Sequence, residues 1–485
     1  MQIQTVKLIE SIQYLSVVGN LPATISGIET DSRKISQGFV FVAIQGVAVD
    51  GHIFIEKAIE QGASVIVCQH VPQKIIDSVA YVVVENSAVA CGYILRAYYE
   101  IDFSLFTVVG VTGTNGKTTT ATLLYQVFEA LGYKAGLIST VRNYIHTQAI
   151  ESTHTTPDTV QLYSLFNAMI EQGCTHCFME VSSHAIHQHR IAGIDFTGGI
   201  FTNLTQDHLD YHKTFAEYLL VKKSFFDGLP MAAFVLSNVD DKNGEIMLQN
   251  TKAHKYTYSL KGFSDFKCKI LESHFDGMLL TIDGTEVWTK FIGAFNAYNI
   301  LSVYAAAILL GQPKQSVLQI ISTLNPVDGR IQFFRNSSGT TAVVDYAHTP
   351  DALENILTSL KKLCGTNNKI ITVVGAGGNR DTSKRPIMGK IAAQLSDTLI
   401  ITSDNPRNEE PQTIAQQMYD GVPETLRSKV ITIIDRKEAI KTAVHIAKST
   451  DVILVAGKGH ETYQEIQGVK HHFDDREIIK ELFKL

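Results

Sequence analysis

Short runs of β-branched and aromatic residues, each followed by a stretch with helical spacing, recur along the whole chain. In the first part, residues 39–44, 64–68 and 81–84 read as strands, and a helix over 52–62 is opened by Asp50-Gly51. A second block opens on a strand at 105–109 and contains strand–turn–helix units at 177–181 and 199–203. A third begins near Ile331, where strands over 341–345, 370–374, 398–402 and 452–456 alternate with helices starting at Pro350 and Pro386. Strands alternating with helices imply parallel sheets, because a parallel connection needs a crossover and the helix supplies it. The expected class is α/β in three domains, residues 1–102, 103–330 and 331–485: a small α/β unit, a central parallel-sheet domain and a second large α/β domain.

Composition narrows the possibilities. A chain of 485 residues is too long for one ordinary core. A net charge of -6 speaks against a nucleic-acid binder, which shows a basic face. No apolar run approaches the roughly eighteen residues of a membrane span. The first ten residues lack the basic-then-apolar pattern of an export signal. The cysteines, Cys68, Cys91, Cys174, Cys177, Cys268 and Cys364, are scattered, which suits reduced thiols in the cytoplasm. Cys174 and Cys177 bracket His176, but a zinc site needs a second ligand pair, so Cys177 reads as the start of a buried strand.

Candidate chemistry begins at Val108-Val109-Gly110-Val111-Thr112-Gly113-Thr114-Asn115-Gly116-Lys117-Thr118-Thr119. A buried strand runs into a glycine-rich turn, and a helix opens at Lys117-Thr118. Such a turn lets backbone N–H groups converge on phosphate oxygens, and the helix N-terminus adds a positive partial charge. Lys117 would reach the β and γ phosphates of ATP, and Thr118 would offer its hydroxyl to Mg²⁺. Strict phosphate-loop spacing is not met: Val111 stands where the first glycine belongs, and Gly110 comes one residue early. The alternative is a chance glycine turn before a helix. Glu180-Val181-Ser182-Ser183-His184 and Thr202-Asn203-Leu204-Thr205-Gln206-Asp207-His208 both follow strands, where α/β folds place ligands. A carboxylate and an imidazole at adjacent strand ends can share a metal whose shell the substrate phosphates complete.

The run Gly113-Thr114-Asn115-Gly116-Lys117-Thr118-Thr119-Thr120, with these distant motifs, resembles the Mur ligases and their folylpolyglutamate synthetase relatives. The resemblance extends over essentially the whole chain. It implies an ATP-dependent acid–amino-acid ligase with a uridine-binding N-terminal domain, a central phosphate-loop domain and a Rossmann-like C-terminal domain. ATP would be held by residues 113–119. Asn296 and Asn299 would read the adenine, although that segment alone reads as a turn and helix cap. Asp345 would hold the ribose, with His348 near the phosphates and Arg330 of Asp328-Gly329-Arg330 on the γ-phosphate. Thr118, Glu180 and His208 become Mg²⁺ ligands. Lys222 matches the position of a carbamylated lysine (N6-carboxylysine) that would ligate a second Mg²⁺; without the resemblance it is a solvated helix lysine, and Lys223 is its rival for register, although the four-residue step from Tyr218 favours Lys222. Lys117, Lys222, His208 and Arg330 form the implied catalytic group.

Ser32 and His52 stand in segments that resemble the family's uridine loops, and Thr155, Thr156, Ser182, Gln188 and Arg190 match its contacts to the UDP-linked muramoyl dipeptide. Asp404-Asn405-Pro406-Arg407 resembles the signature for meso-diaminopimelate rather than lysine, with Arg380 on the other carboxylate and Gly457 and Glu461 on the distal amine. Near Arg380, Ala376 replaces the family's usual cysteine. Diaminopimelate carries a second carboxylate that a guanidinium can grip through two N–H bonds. Lysine would leave Arg407 desolvated and unpaired, and such a site can reject the analogue by roughly 10⁴-fold or more. The implied reaction passes through an acyl phosphate. Three rivals stay open: a sister ligase for L-lysine or a D-alanyl dipeptide, a folylpolyglutamate synthetase-like enzyme, and a non-catalytic nucleotide-binding relative. The expected partners are small molecules only, with neither nucleic acid nor membrane, and the expected state is a monomer.

Overall fold

The computed structural model describes residues 3–47, 49–152, 154–365 and 368–485. Met1 and Gln2, at the head of the first expected domain, lie outside them. The main sheets have five, eleven and six strands. The first runs in the order Ser16–Val18, Ala80–Val83, Ala63–Cys68, Phe39–Val42, Gly27–Glu29, and is parallel except at its first strand. The largest has a parallel heart, Ala135–Ile138, His176–Glu180, Thr107–Thr112, Gly198–Phe201, Phe234–Asn238, His254–Ser259 and Phe266–His274, extended at both edges by antiparallel strands. The third runs Gln332–Arg335, Thr341–Asp345, Val452–Ala456, Ile370–Val374, Thr398–Ile401, Val430–Thr432, antiparallel only at Gln332–Arg335. The chain is therefore α/β throughout its three layered units.

Most expected elements stand within a residue or two of their expected ends, and two differ instructively. The strand expected at 105–109 is Thr107–Thr112. Leu105 is exposed in a turn closed by Asp102, which accepts the amides of Ser104 (2.8 Å) and Leu105 (3.2 Å). The strand then continues through Thr112 because both neighbours keep pairing, Val111 with Glu180 on one side and Thr112 with Phe201 on the other. The helix expected from Pro386 starts at Lys384. Proline fits a first turn, where backbone N–H groups have no intrahelical acceptor.

Gly110 lies inside that strand, so its role is packing rather than phosphate contact. A Cβ there would stand 2.7 Å from Phe225 and 2.9 Å from both Phe196 and Val181. Gly110→Ala is expected to cost about 1–3 kcal/mol through overpacking, read as an earlier thermal melt. A melt equal to the parent's would refute this.

One apolar cluster runs unbroken from the first sheet into the second, joining Ile94 and Leu95 to Phe103, Tyr163 and Phe166. Glycine at 92 permits the contact, since a Cβ would meet the carbonyl oxygen of Ala192 at 2.1 Å. The third sheet has its own clusters on its two faces. It meets the second sheet across a polar cleft, and a polar interface is the kind that can open.

Candidate active site

The strand Thr107–Thr112 lies between His176–Glu180 and Gly198–Phe201, where the strand order reverses, so a crevice opens at its carboxyl end. The chain turns there through Gly113 (φ 147°) and Gly116 (φ 88°) into the helix Lys117–Ala130. Both glycines are required: a Cβ would meet the hydroxyl of Thr202 at 2.0 Å in the first case and the Asn299 amide oxygen at 2.6 Å in the second. Lys117 folds back, its Nζ donating to the carbonyls of Gly113 (3.0 Å) and Thr114 (2.8 Å). Burial pushes this amine below its ordinary range, against Glu180 and Asp207.

Glu180 ends the neighbouring strand, and its Oε1 accepts the Thr140 amide at 2.7 Å. Thr140 also donates its hydroxyl to Thr155 at 3.0 Å. On the far side, Arg330 Nη2 donates to the Thr118 hydroxyl at 3.1 Å, its guanidinium lies 4.5 Å over the Tyr346 ring, and its buried Nε has no partner. His208 is held in the left-handed region (φ 55°) with its ring 3.5 Å from Asp207. Burial lowers the His208 imidazole, against the opposing pull of the Asp207 carboxylate. Burial alone would raise the Asp207 carboxyl, but His208, Lys384 and His348 outweigh it and hold it down. Among the described residues no three His, Cys, Asp or Glu side chains gather as a metal cage. The Thr118 hydroxyl, the Glu180 carboxylate and the His208 ring all line one cleft; the two oxygens are hard donors that suit Mg²⁺ when phosphate oxygens complete the shell, and the imidazole is a borderline donor beside them.

The two adjacent lysines are told apart by packing. Lys223 spends its amine on Asp227 (2.6 Å) and Asn250 (2.7 Å). Lys222, 1% exposed, reaches behind the phosphate loop to the Gly113 carbonyl (2.8 Å) and the Thr112 hydroxyl (3.3 Å). Burial, then the nearby charge of Lys117, pushes its amine well below the usual lysine range.

In the third sheet the loops after Thr341–Asp345, Val452–Ala456, Ile370–Val374 and Thr398–Ile401 stand side by side at the carboxyl ends. Asp345 accepts the Ile331 amide at 2.9 Å. His348 donates from Nδ1 to the Tyr346 carbonyl (2.8 Å), which leaves Nε2 bare, and burial pushes its pKa down to about 4. Asp404 is buried but held below its ordinary range by Lys458 and Arg436, whereas burial and the charge of Asp404 raise Glu461. Asn405 is committed within the wall: it donates to Glu461 (2.8 Å) and accepts from Lys458 (2.9 Å) and the Glu465 amide (3.0 Å). Arg407 adopts φ 51°, pinned against the strand Tyr463–Ile466 and the turn after it: its amide donates to the Glu465 carbonyl (3.0 Å) and its carbonyl accepts the Gln467 amide (2.8 Å). Its guanidinium donates to Gly378 (2.8 Å), pairs with Glu465 (3.2 Å) and is 22% exposed on the cleft wall.

The two walls enclose about 660 Å³. Of the expected ATP and amino-acid residues, 114–119, Asn296, Asn299, Arg330, Asp345, His348, Arg380, Asp404, Asn405, Arg407, Gly457 and Glu461 line it, and Thr155 joins them. Asn296 and Asn299 bond to each other at 3.1 Å near the turn at Gly116. Beside the cleft rather than in it, Thr156 donates to the Glu180 carbonyl (2.8 Å) and accepts the Ser182 amide (3.1 Å), while Arg190 grips Gln188 (2.6 Å) and the Thr156 carbonyl (3.0 Å). Ser32 and His52 lie apart at the first sheet; His52 is engaged by Asp50 (2.6 Å) and the Gln69 amide (2.9 Å).

Several residues that meet between the two walls were given no role from sequence: Asp351 accepts from the flagged Asn115 (2.9 Å), Gln206 donates to Ser383 (3.0 Å), and Lys384 faces Asp207 at 3.8 Å. Asp207 was adjacent to a flagged histidine, but nothing local shows that Lys384 will face it.

Comparison with known proteins gives consistent matches. The Mur ligase family catalytic domain matches residues 24–99, the Mur ligase middle domain residues 111–307, and the Mur ligase glutamate ligase domain residues 329–459. UDP-N-acetylmuramoyl-L-alanyl-D-glutamate--2,6-diaminopimelate ligase of Phocaeicola vulgatus is 55% identical over 477 residues, 98% of this chain and 99% of that protein. The protein of the same name from Clostridioides difficile is 40% identical, with 98% of each chain covered. A solved structure bearing that name superposes with TM-score 0.71 at 30% identity, over 100% of this chain and 99% of the other. MurF from Acinetobacter baumannii shares the fold, with TM-score 0.67 at 15% identity over 100% of this chain and 99% of the other.

Proposed function

The chain belongs to the Mur ligase family, and on that premise we propose that it joins the D-glutamyl γ-carboxylate of UDP-N-acetylmuramoyl-L-alanyl-D-glutamate to meso-2,6-diaminopimelate, converting ATP to ADP and phosphate. One observation carries the reading: the phosphate loop on one wall faces Arg380, Asp404, Arg407 and Glu461 on the other within a single cleft. We take residues 1–102, 103–330 and 331–485 as its substrate, ATP and amino-acid domains.

ATP lies on residues 113–119, with Asn296 and Asn299 toward the adenine and Asp345 and His348 toward the ribose and phosphates. Lys117 and Arg330 hold the γ-phosphate, and the partnerless Nε of Arg330 is a donor ready for it. Ser32, His52, Thr155, Thr156, Ser182, Gln188 and Arg190 receive the UDP-dipeptide. Its carboxylate attacks the γ-phosphorus and displaces ADP, giving an acyl phosphate and turning a poor leaving group into a good one. The neutral amine of diaminopimelate then attacks the acyl carbon, gives up a proton to solvent, and phosphate departs. Thr118, Glu180 and His208 would hold Mg²⁺, which would supply charge neutralisation at the transferred phosphoryl group. Asp404 and Glu461 meet the distal ammonium, whose charge favours both carboxylates, while Arg407 and Arg380 take the carboxylates. The protein acts as a cytoplasmic monomer in peptidoglycan precursor synthesis; among the described residues no helix is long and apolar enough to cross a membrane.

Phosphate release with ATP, the UDP-dipeptide and each amino acid in turn tests this. Turnover should require meso-diaminopimelate, and equal rates with L-lysine would defeat the amino-acid assignment while leaving ligase chemistry intact. Lys222, buried and facing the loop, supports the carbamate reading: a neutral amine is the form that takes up CO₂. Removing bicarbonate should lower kcat reversibly in the parent and leave Lys222→Gln at its residual rate; no bicarbonate effect would argue against the carbamate.

A further inference from the structure

Arg436 opens the helix Arg436–Ile446, and Asp475 opens the helix Asp475–Phe483. Both side chains are fully buried, 0% exposed each, and neither lines the cleft. The guanidinium takes Asp475 in a two-pronged pair, Nε to Oδ1 at 2.8 Å and Nη2 to Oδ2 at 2.7 Å. Its remaining donors point to the sheet's carboxyl edge. Nη2 donates to the Ala456 carbonyl at 2.9 Å, and Nη1 approaches the Ser403 carbonyl at 3.4 Å. Ala456 directly precedes Gly457, and Ser403 directly precedes Asp404. One guanidinium therefore ties together the roots of both loops that face the amino acid. On the cleft side Lys458 joins the same loops, donating to Asn405 (2.9 Å) and Glu461 (3.2 Å).

A buried ion pair is a weak source of stability, because desolvation offsets most of its attraction, and an apolar pair of the same volume often does as well. Directional hydrogen bonds to two named carbonyls are something an apolar pair cannot supply. Selection of a doubly zwitterionic amino acid needs that direction: Arg407 must meet a carboxylate while Asp404 and Glu461 meet the neighbouring ammonium. The spacing between the loops sets whether one substrate satisfies both.

We propose that Arg436, anchored by Asp475, is a positioning residue for amino-acid selection, holding the 404–407 and 457–461 loops at the separation that fits diaminopimelate. This rests on the reading of the site as an amino-acid pocket. Displacing reacting groups by about 1 Å can cost about 10²-fold, so a loosened pair of loops should weaken this one substrate selectively.

The test compares the full-length parent, Arg436→Lys and Asp475→Asn by initial rates with each substrate varied in turn. Lysine keeps the charge but lacks the fork that reaches Asp475 and both carbonyls together. The expected result is a KM for meso-diaminopimelate raised roughly tenfold or more, with KM for ATP and for the UDP-dipeptide little changed, and a higher ratio of L-lysine to diaminopimelate turnover. An unchanged diaminopimelate KM in a folded variant overturns the proposal. So does a parallel loss toward all three substrates with an early melt, which is what a purely architectural residue would give. Should Arg436→Lys not fold, Asp475→Asn decides, since it keeps the guanidinium and frees it from its anchor. If the parent itself ignores diaminopimelate, the amino-acid assignment fails instead, and the same comparison is read on the amino acid that the parent does accept.

Discussion

Arg407→Ala is expected to lower kcat/KM for meso-diaminopimelate by about 10³-fold, the loss when one partner of a desolvated, hydrogen-bonded charge pair is truncated. The loss should lie mainly in the amino-acid KM, with the KM for ATP unchanged, because the guanidinium is on the wall opposite the phosphate loop. L-lysine has no distal carboxylate to lose, so its turnover should fall far less and the preference between the two should collapse. Folding should survive. The left-handed backbone at position 407 is held by main-chain bonds from Glu465 and Gln467, which alanine keeps, and Glu465 at 26% exposure can be solvated. Steady-state phosphate release with both amino acids reads the effect. If the variant still discriminated as the parent does, Arg407 would not be the determinant.

Lys117→Ala should reduce kcat by about 10³-fold or more, the range seen when a preorganised cation or donor is withdrawn from a transferring phosphoryl group. In the structure the ammonium is bonded to the Gly113 and Thr114 carbonyls, poised over the loop it serves. Diaminopimelate affinity should not change, since that wall makes no use of Lys117. Its amine is already disfavoured in charged form by burial, so nucleotide-free alanine variant should melt close to the parent. A retained kcat would remove Lys117 from the chemistry, and a large fall in melting temperature would recast it as a structural residue.

Legibility followed the range of the interactions. The strands Thr341–Asp345, Ile370–Val374 and Val452–Ala456 and the start of the helix Pro350–Cys364 were readable to the residue. Strands buried on both faces are continuous apolar runs, and proline at the first helical position announces its helix. The phosphate loop was readable because its backbone demands glycine at 113 and 116. Gly110 misled by proximity: it looked like a displaced loop glycine and proved to be a packing glycine under Phe225. The choice of Lys222 over Lys223 rested on the resemblance and on the four-residue step from Tyr218, which places Tyr218 and Lys222 on one helix face; the Lys222 amine lies 4.9 Å over the Tyr218 ring. Lys384, Lys458 and Arg436 read as ordinary charged residues until their partners, Asp207, Asn405 and Asp475, were brought to them from afar.

By itself the amino-acid order determined the α/β class, the phosphate loop, the strand ends that bear Glu180 and the 404–407 run, and through those motifs the family. Each depends on hydrophobic period, on glycine and proline backbone limits, or on a contiguous string, all of which act within about a dozen residues. Only the folded chain decided what the Lys222 amine touches behind the phosphate loop, which side chains meet across the cleft, and that a single buried guanidinium spans the roots of two pocket loops. Those outcomes are set by sheet order and by packing between segments hundreds of residues apart in some cases, such as Asn115 and Asp351. No local pattern encodes such a meeting, because its energy exists only once both segments have been carried to the same place.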